Sequence, residues 1–272
     1  MTKHDVTGHH KPKAATAIAF PDRDRVTVRG LDLCRDLIGK VGFTEYFLIL
    51  LTGARPTPAL IALTDATLVA IAEHGLVSSV QVARMTLAAA PDALQGAVAA
   101  GLLGCGSVIL GASETAGGVL AEIAATVATQ DKSLRQTVFE KLSRIRDAKE
   151  NLPGFGHPIH RNGDPRATRL LELADELGVA GPHCAALREI ERQAETIFGR
   201  KLPMNVSGAI PAVLLDAGFP IAALRGIPIV ARAAGLIAHL AEEKLHPIGR
   251  ILSAAAGKAI AYDADLSSSA PG

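Results

Sequence analysis

The chain has 272 residues, of which 49% are hydrophobic but only 3% aromatic, and its formal net charge is +1. This length allows one large domain or two modest ones with a sizeable core. The near-zero charge argues against an overall field that would steer the chain to nucleic acid or to an anionic membrane. Because strands favour aromatic and β-branched residues, a core rich in Ala, Leu and Ile predicts an all-α fold.

The N-terminal segment and the cysteines suggest where the protein works. Residues 1–22 are largely polar and basic and lack the apolar stretch of a signal peptide, so they predict a disordered leader. The cysteines, Cys34, Cys105 and Cys184, are widely spaced and lack metal-ligand spacing. We therefore expect free thiols, a cytoplasmic location and no metal.

The first half of the chain predicts helices separated by glycine and proline. Residues 24–29 are a short extended piece, and 31–38 form amphipathic turns. Helical spacing of apolar residues then predicts helices at 46–51, 58–74, 81–90, 93–103 and 111–129. Residues 93–113 carry no charge over a length that could span a bilayer, but their glycines and the lack of aromatic or basic flanks favour a buried, closely packed helix.

Composition becomes more charged after Thr129, which suggests a second domain. Helices are predicted at 130–150, 165–177, 182–198, 203–215 and 228–244. Asp164 or Pro165 is expected to cap the second of these at its start, and Gly178 to end it. The predicted division is a large helical domain of 23–129 and 223–265, a small helical domain of 130–222, and a flexible tail of 266–272.

Residues 154–166 form the most informative block of the sequence. Two glycines lead to His157, and Arg161 and Arg166 flank the polar turn that follows. An imidazole on such a loop can donate a hydrogen bond to an oxyanion, and an arginine can pair both oxygens of a carboxylate. The pattern suits an anionic ligand that carries a carbonyl group. The alternative is a loop histidine satisfied by backbone groups and surface arginines that bridge to Asp164.

Two residues elsewhere are further candidates for ligand binding. His74 lies at a predicted helix end, where a histidine either complements the helix dipole or faces a ligand. Arg232 lies inside an apolar helix, and a charge there must be paired or face a cleft because burying it bare is costly.

Four segments together resemble the citrate synthase superfamily, and above all its citryl-CoA lyase branch, which also forms the C-terminal module of ATP-citrate lyase. They are VRGLDLCRDLIGKVGFTE at 28–45, GFGHPIHRNGDPRA at 154–167, NVSG at 205–208 and ARAAGLIAH at 231–239. The resemblance implies an all-α, two-domain, dimeric protein with its active site in the interdomain cleft. It also implies an enzyme that makes or cleaves a carbon–carbon bond in a carboxylated hydroxyacyl-CoA.

The resemblance also implies roles for individual residues. His157 would bind the oxygen at which charge develops, and His74 would bind substrate. Carboxylates would be held by Arg166 and Arg232, with Arg250 as a candidate for an arginine lent by the neighbouring subunit. The residues implied at coenzyme A are Arg161, Gly154, Gly156 and Asn162. We expect a CoA thioester and an organic acid as small-molecule partners, and a homodimer or higher homo-oligomer formed through the Gly/Ala-rich helices of 82–128.

The chain departs from the family pattern at two places. Leu110 lies where citrate synthases carry a His-Gly-Gly motif, and Ser207 stands at the position of the catalytic aspartate. A serine without an activating base cannot exchange a proton with substrate near neutral pH. Glu114 is a possible substitute, whereas Asp216, nine residues after Ser207, is not.

Ser207 therefore leaves several interpretations open. It is a third candidate catalytic residue beside His157 and His74, as a nucleophile toward a thioester, although no GxSxG elbow surrounds it. It is otherwise a small residue that caps the start of a helix. The alternative function is an acyl-CoA-binding family member with lost or altered catalysis, either thioesterase-like or a regulatory subunit.

Overall fold

The computed structural model describes residues 14–106, 110–130, 132–156 and 163–263. The chain is mostly helical, about 65% helix with few strands, which confirms the predicted all-α class. It divides into two compact units, residues 1–61 and 62–272, and one helix runs across the boundary between them. The predicted division into large and small helical domains stays a prediction.

The first unit contains a small antiparallel sheet that the composition did not suggest. Strands β1 (Ala19–Pro21), β2 (Val26–Val28) and β3 (Leu31–Asp32) pair in that order. The leader predicted for residues 1–22 is therefore wrong at its end, because β1 pairs with β2 along its whole length. Helix α1 (Phe43–Thr52) follows, and Val28 and Ile49 are buried in one apolar cluster.

Among the residues that the structure describes, the second unit is built from helices, apart from one isolated antiparallel bridge between Phe155 and Met204. Its helices run as follows: α2 Pro58–Ile71, α3 Ser78–Ala89, α4 Leu94–Leu103, α5 Ala112–Thr129, α6 Leu134–Asp147, α7 Pro165–Glu176, α8 Pro182–Phe198, α9 Val206–Asp216, α10 Gly226–Leu245 and α11 Gly249–Ala259. The predicted α8 is confirmed at both ends. Asp164 caps α7 by accepting the backbone N–H of Arg166, as predicted.

Helix α11 packs against α3, and helices α3, α4 and α10 pack together around an apolar core. Next to it lies a buried ion pair, in which Nε of Arg84 on α3 lies 2.6 Å from Oε2 of Glu243 on α10. The same carboxylate accepts the backbone N–H groups of Ile248 and Gly249, at the start of α11. One buried carboxylate thus ties three helices together.

Helices α5, α6, α7 and α8 form a second group, in which α5, α7 and α8 pack against α9. Most of α9 is buried, which explains its aliphatic sequence. Its first turn is partly exposed at Ser207, so that end of the helix faces a pocket.

The uncharged stretch at 93–113 is not one helix, because α4 ends at Leu103. Among the described residues, Ile221–Leu245 is long and apolar enough to cross a membrane by length and composition alone. That segment contains α10, which packs against α3 and α4 and takes part in the Arg84–Glu243 ion pair. These contacts are those of a core helix.

Asp216 at the end of α9 caps the neighbouring helix α8. Its carboxylate accepts the backbone N–H groups of Gly181, His183 and Cys184 at 2.7–3.0 Å, and it lies 2.7 Å from Nδ1 of His183. Burial alone would raise the pKa of Asp216, but the hydrogen bonds from His183 and Cys184 outweigh it and lower the pKa to about 2. The carboxylate of Asp216 thus joins the end of α9 to the start of α8.

We expect Asp216→Asn to lower the free energy of unfolding by about 2 kcal/mol at pH 7. Because the folded-state pKa is depressed, this contribution is present above the unfolded-state pKa, about 4, and is lost as the pH falls toward 2. Urea unfolding of the wild type and of the variant at pH 7 and pH 3 checks it. A difference in stability that stays constant between these two pH values would contradict the assignment.

Candidate active site

A pocket of about 280 Å³ lies where the N-terminal ends of α5, α7 and α9 come together beside α10. The turn after α2 completes its described wall. The described lining residues are Ile71, His74, Leu110, Ala112, Ser113, Gly156, Arg166, Asn205, Val206, Ser207, Ile210, Pro228 and Arg232. Because helix N-termini carry partial positive charge, three of them at one pocket favour an anion.

The glycine loop before His157 is fixed against the start of α9. Gly154 has φ +80°, and a Cβ there would lie 2.6 Å from Cα of Gly208. The backbone N–H of Gly156 donates to the carbonyl of Pro203, and its own carbonyl accepts from Nδ2 of Asn205. Close packing against the backbone of α9 therefore explains why residue 154 is a glycine. Gly156, in contrast, is one of the residues that line the pocket.

Asp164 links the second half of this block to the same helix. Its side chain is only 1% exposed and accepts the backbone N–H groups of Arg166 and Val206 at 3.0 Å each. It also pairs with the guanidinium of Arg166, with Nε–Oδ1 at 3.0 Å and Nη2–Oδ2 at 2.8 Å. Burial raises the pKa of Asp164, but these partners lower it overall. One carboxylate therefore fixes the starts of α7 and α9 and the direction of Arg166.

Arg232 is the most unusual side chain of the pocket. It is only 7% exposed, and its Nε and Nη1 atoms have no hydrogen-bond partner among the described residues. Buried guanidinium nitrogens without partners are costly, and such atoms are normally paired or bind a ligand. The geometry fits the prediction that Arg232 faces a cleft.

Arg166 and His74 line the same pocket as Arg232. Arg166 pairs with Asp164, as the alternative to ligand binding predicted for the arginines of this block. Its Nη1 also lies 3.4 Å from the carbonyl oxygen of Ala70. Its side chain lines the pocket and remains 24% exposed, so the bridge to Asp164 does not bury it. His74 lies in the exposed turn after α2. Three sequence-predicted residues from distant parts of the chain thus meet at one pocket.

The described wall of this pocket contains no aspartate or glutamate. Two arginines, one histidine and the three helix starts face it, together with neutral polar and apolar groups. This arrangement can bind an anion with several carboxylates, but it supplies no carboxylate base from the described residues.

The two departures from the family pattern both lie at this pocket. Leu110 is 6% exposed and contributes an apolar contact. Ser207 is partly exposed, but the cap of α9 is Asn205, whose Oδ1 accepts the N–H of Ser207 at 2.9 Å. The expectation that Ser207 caps this helix is therefore wrong, because the helix already begins at Val206 and is capped by Asn205.

Neither acidic residue considered as a substitute for the missing aspartate lines the described pocket. Glu114 is exposed and pairs with Arg225 at 3.3 Å. Asp216 serves as the α8 cap at the other end of α9. In the described part of the chain, Glu114 is therefore paired with Arg225 rather than placed at the pocket wall beside Ser207.

Several predicted site residues are not brought to the pocket by the described part of the structure. His157, Arg161 and Asn162 lie outside the described residues. Arg250 is exposed on α11 and does not line the pocket of its own chain, so its proposed role toward a neighbouring subunit stays a prediction.

The sequence analysis did not predict that Asn205 and Ser113 line the pocket. It also did not predict that Asp164 accepts a hydrogen bond from the start of α9. Asn205 carried a usable signal, since asparagine directly before an apolar run is a preferred helix cap. Ser113 had none, because a serine near a glycine-rich helix start occurs in many settings.

Comparison with known proteins identifies the family. Residues 15–252 match the family described as citrate synthase, C-terminal domain. The chain belongs to the citrate synthase family. This confirms the resemblance drawn from the four sequence segments.

Curated relatives in this family are longer than the chain. Citrate synthase 2 of Bacillus subtilis is 29% identical over 203 residues, which cover 74% of this chain and 52% of that protein. Citrate synthase of Acidithiobacillus ferridurans is 30% identical over 206 residues, 72% of this chain and 50% of that protein. The chain thus spans about half the length of the curated relatives that it matches.

Solved structures support the same fold. The citryl-CoA lyase from Hydrogenobacter thermophilus is 30% identical, with a TM-score of 0.77 and coverage of 87% of this chain and 88% of that chain. The ATP citrate lyase from Methanothrix soehngenii, solved with citrate and coenzyme A, has a TM-score of 0.75. It is 21% identical and covers 93% of this chain and 42% of that chain, so this likeness concerns the fold alone.

Proposed function

We propose that the protein is an enzyme of the citryl-CoA lyase or citrate synthase type, which cleaves or forms the carbon–carbon bond of a carboxylated hydroxyacyl-CoA. The observation that carries the proposal is the buried guanidinium of Arg232 in a pocket whose described wall has no acidic residue. A polycarboxylate supplies the partners that this group lacks. The similarity to a citryl-CoA lyase over most of both chains agrees with that ligand class.

In this proposal, Arg232 and Arg166 hold carboxylates of the organic-acid part, and the Asp164 bridge keeps Arg166 pointed at them. In the cleavage direction the substrate hydroxyl loses its proton, and the carbonyl of the keto acid forms as the carbon–carbon bond breaks. The electron pair of that bond passes to the carbon next to the thioester, which then takes up a proton. His74 is the described lining group that can accept the first proton. His157, by resemblance, stabilises the oxygen that becomes charged.

Other parts of this proposal extend the sequence expectations. The CoA part would be held by Arg161 and its neighbours in the glycine–histidine block. The enzyme would be a cytoplasmic homodimer or higher homo-oligomer. Sedimentation of the purified chain at micromolar concentration tests the last point.

Ser207 favours a second candidate, a family member that binds an acyl-CoA but has lost or altered the carbon–carbon chemistry. Its hydroxyl can donate a hydrogen bond at the pocket but cannot hold and release a proton as a carboxyl group does. General acid–base catalysis is typically worth about 10²–10⁴-fold in rate. The two candidate functions therefore differ in the rate that they predict for carbon–carbon bond cleavage or formation by a chain with serine at position 207.

The deciding experiment measures cleavage of citryl-CoA, and condensation of acetyl-CoA with oxaloacetate, by the wild type, His157→Ala and Ser207→Asp. The first proposal expects the wild type to turn over, and it expects His157→Ala to lose about 10²-fold or more because an oxyanion donor is removed. An inert wild type that gains activity as Ser207→Asp would instead establish the second candidate.

A further inference from the structure

His239 lies in the sequence segment that carries Arg232, yet the proposed chemistry gives it no role. Arg232, Gly235 and His239 are spaced three and four residues apart along α10, so they lie on one face of that helix. Arg232 reaches the pocket from this face. The other two residues contact the turn that carries His74.

Gly235 brings α10 unusually close to that turn. A Cβ at this position would lie 2.1 Å from the carbonyl oxygen of Ala72 and 3.4 Å from Oε2 of Glu73. No side chain fits there without moving one of the two backbones. The contact therefore sets the spacing between α10 and the residues directly before His74.

His239 fixes the same turn through Glu73. Nε2 of His239 lies 2.8 Å from Oε2 of Glu73, and the other oxygen of that carboxylate accepts the backbone N–H groups of His74 at 2.7 Å and Gly75 at 2.6 Å. Glu73 thus holds the backbone of His74 from one side and is itself held by α10 from the other.

The charges around His239 orient its ring. Nδ1 lies 3.5 Å from Nη1 of Arg84 on α3 and 3.9 Å from Oε2 of Glu242 on α10, while Glu73 of the turn faces Nε2. Because a guanidinium has only donors, Nδ1 is the acceptor toward Arg84, so Nε2 carries the ring proton. Nε2 lies at ion-pair distance from Glu73, but its N–H is not aligned for a hydrogen bond, so the contact is a close polar one. Burial raises the pKa of Glu73, but His239 and the two backbone donors lower it overall.

We propose that His239 is a positioning residue, which holds Glu73 and thereby fixes His74 at the distance from Arg232 that the ligand requires. This inference deepens the proposed function, since it concerns the same pocket. His239 touches no described pocket space itself and acts only through Glu73. The His239 side chain is 13% exposed, whereas that of Glu73 is 50% exposed, so the contact lies at the edge of the protein interior.

The test compares His239→Leu, which removes the polar contact to Glu73, with His239→Gln, whose amide keeps a polar group in the same place. His183→Leu is the matched control, because His183 makes the same kind of carboxylate contact on α8, outside the described pocket wall. The first readout needs no ligand: hydrogen exchange at the amides of His74 and Gly75. We expect these amides to exchange at least tenfold faster in His239→Leu, with near wild-type rates in His239→Gln and His183→Leu.

The second readout is calorimetric binding of citrate to the full chain. We expect the Kd for citrate to rise about tenfold in His239→Leu and to recover in His239→Gln, with kcat changed much less than KM in any turnover assay. Unchanged exchange at both amides would overturn the proposal, and so would faster exchange with unchanged citrate affinity. A wild type that binds no citrate, with the exchange pattern as expected, would count against the proposed function and leave the Glu73 contact established.

Discussion

Replacing Arg232 with methionine should abolish most of the affinity for a polycarboxylate and, in the same molecule, stabilise the unliganded fold. Methionine keeps much of the length and apolar contact of the side chain but removes its charge. Truncation of one partner in a buried, hydrogen-bonded charge pair typically costs about 2–5 kcal/mol of binding free energy. The Kd for citrate should therefore rise by roughly 30-fold or more.

The stability effect has the opposite sign and a separate cause. Without ligand, the Nε and Nη1 atoms of Arg232 are buried and have no partner among the described residues. Replacing such a charged group by an apolar one of similar volume removes a desolvation cost, so we expect the free energy of unfolding to rise by about 1–3 kcal/mol. Urea unfolding without ligand and calorimetry with citrate measure the two effects independently.

Arg225→Met is the matched control for this prediction. Arg225 directly precedes α10, is partly exposed, pairs with Glu114 at the surface and does not line the described pocket. We expect it to change neither quantity by more than about 0.5 kcal/mol. Citrate binding by Arg232→Met as tight as that of the wild type would show that this guanidinium does not hold the ligand.

Replacing Asp164 with alanine should be among the most destabilising changes in the chain. It removes the cap of α7, leaves the N–H of Val206 at the start of α9 without its acceptor, and deprives Arg166 of its paired carboxylate. Breaking a buried ion pair from one side typically costs about 3–5 kcal/mol, against a total stability of about 5–15 kcal/mol. Urea unfolding should report a loss in that range.

Asp175→Ala is the matched control, because it removes an exposed aspartate whereas Asp164→Ala removes a buried one. Asp175 pairs with Arg188 on the surface, where its side chain is 53% exposed, and such pairs contribute about 0–1 kcal/mol. A loss at Asp164 that is no larger than the loss at Asp175 would mean that the junction of α7 and α9 does not depend on this carboxylate.

Much of the fold followed from local sequence signals. Pro182 and Gly199 bound α8 because proline suits the first turn of a helix and glycine the left-handed residue after its end. The extended piece predicted at 24–29 contains β2, but the sheet itself was missed, because its strands are only two or three residues long and show too little alternation to predict their pairing. The start of α9 was misplaced, since Asn205 and Ser207 are both acceptable caps by residue type.

The sequence by itself determined the family, the helical class and the identity of the ligand-binding candidates, because glycines, a histidine and arginines at fixed spacings are local features. Only the tertiary structure decided that His74, Arg166 and Arg232 face one pocket, that Asp164 also holds the start of α9, and that His239 contacts Glu73. It also showed that no described carboxylate lines the pocket beside Ser207. The physical reason is that these contacts join residues tens of positions or more apart, and burial and pairing depend on how helices pack rather than on which residues are neighbours in the chain.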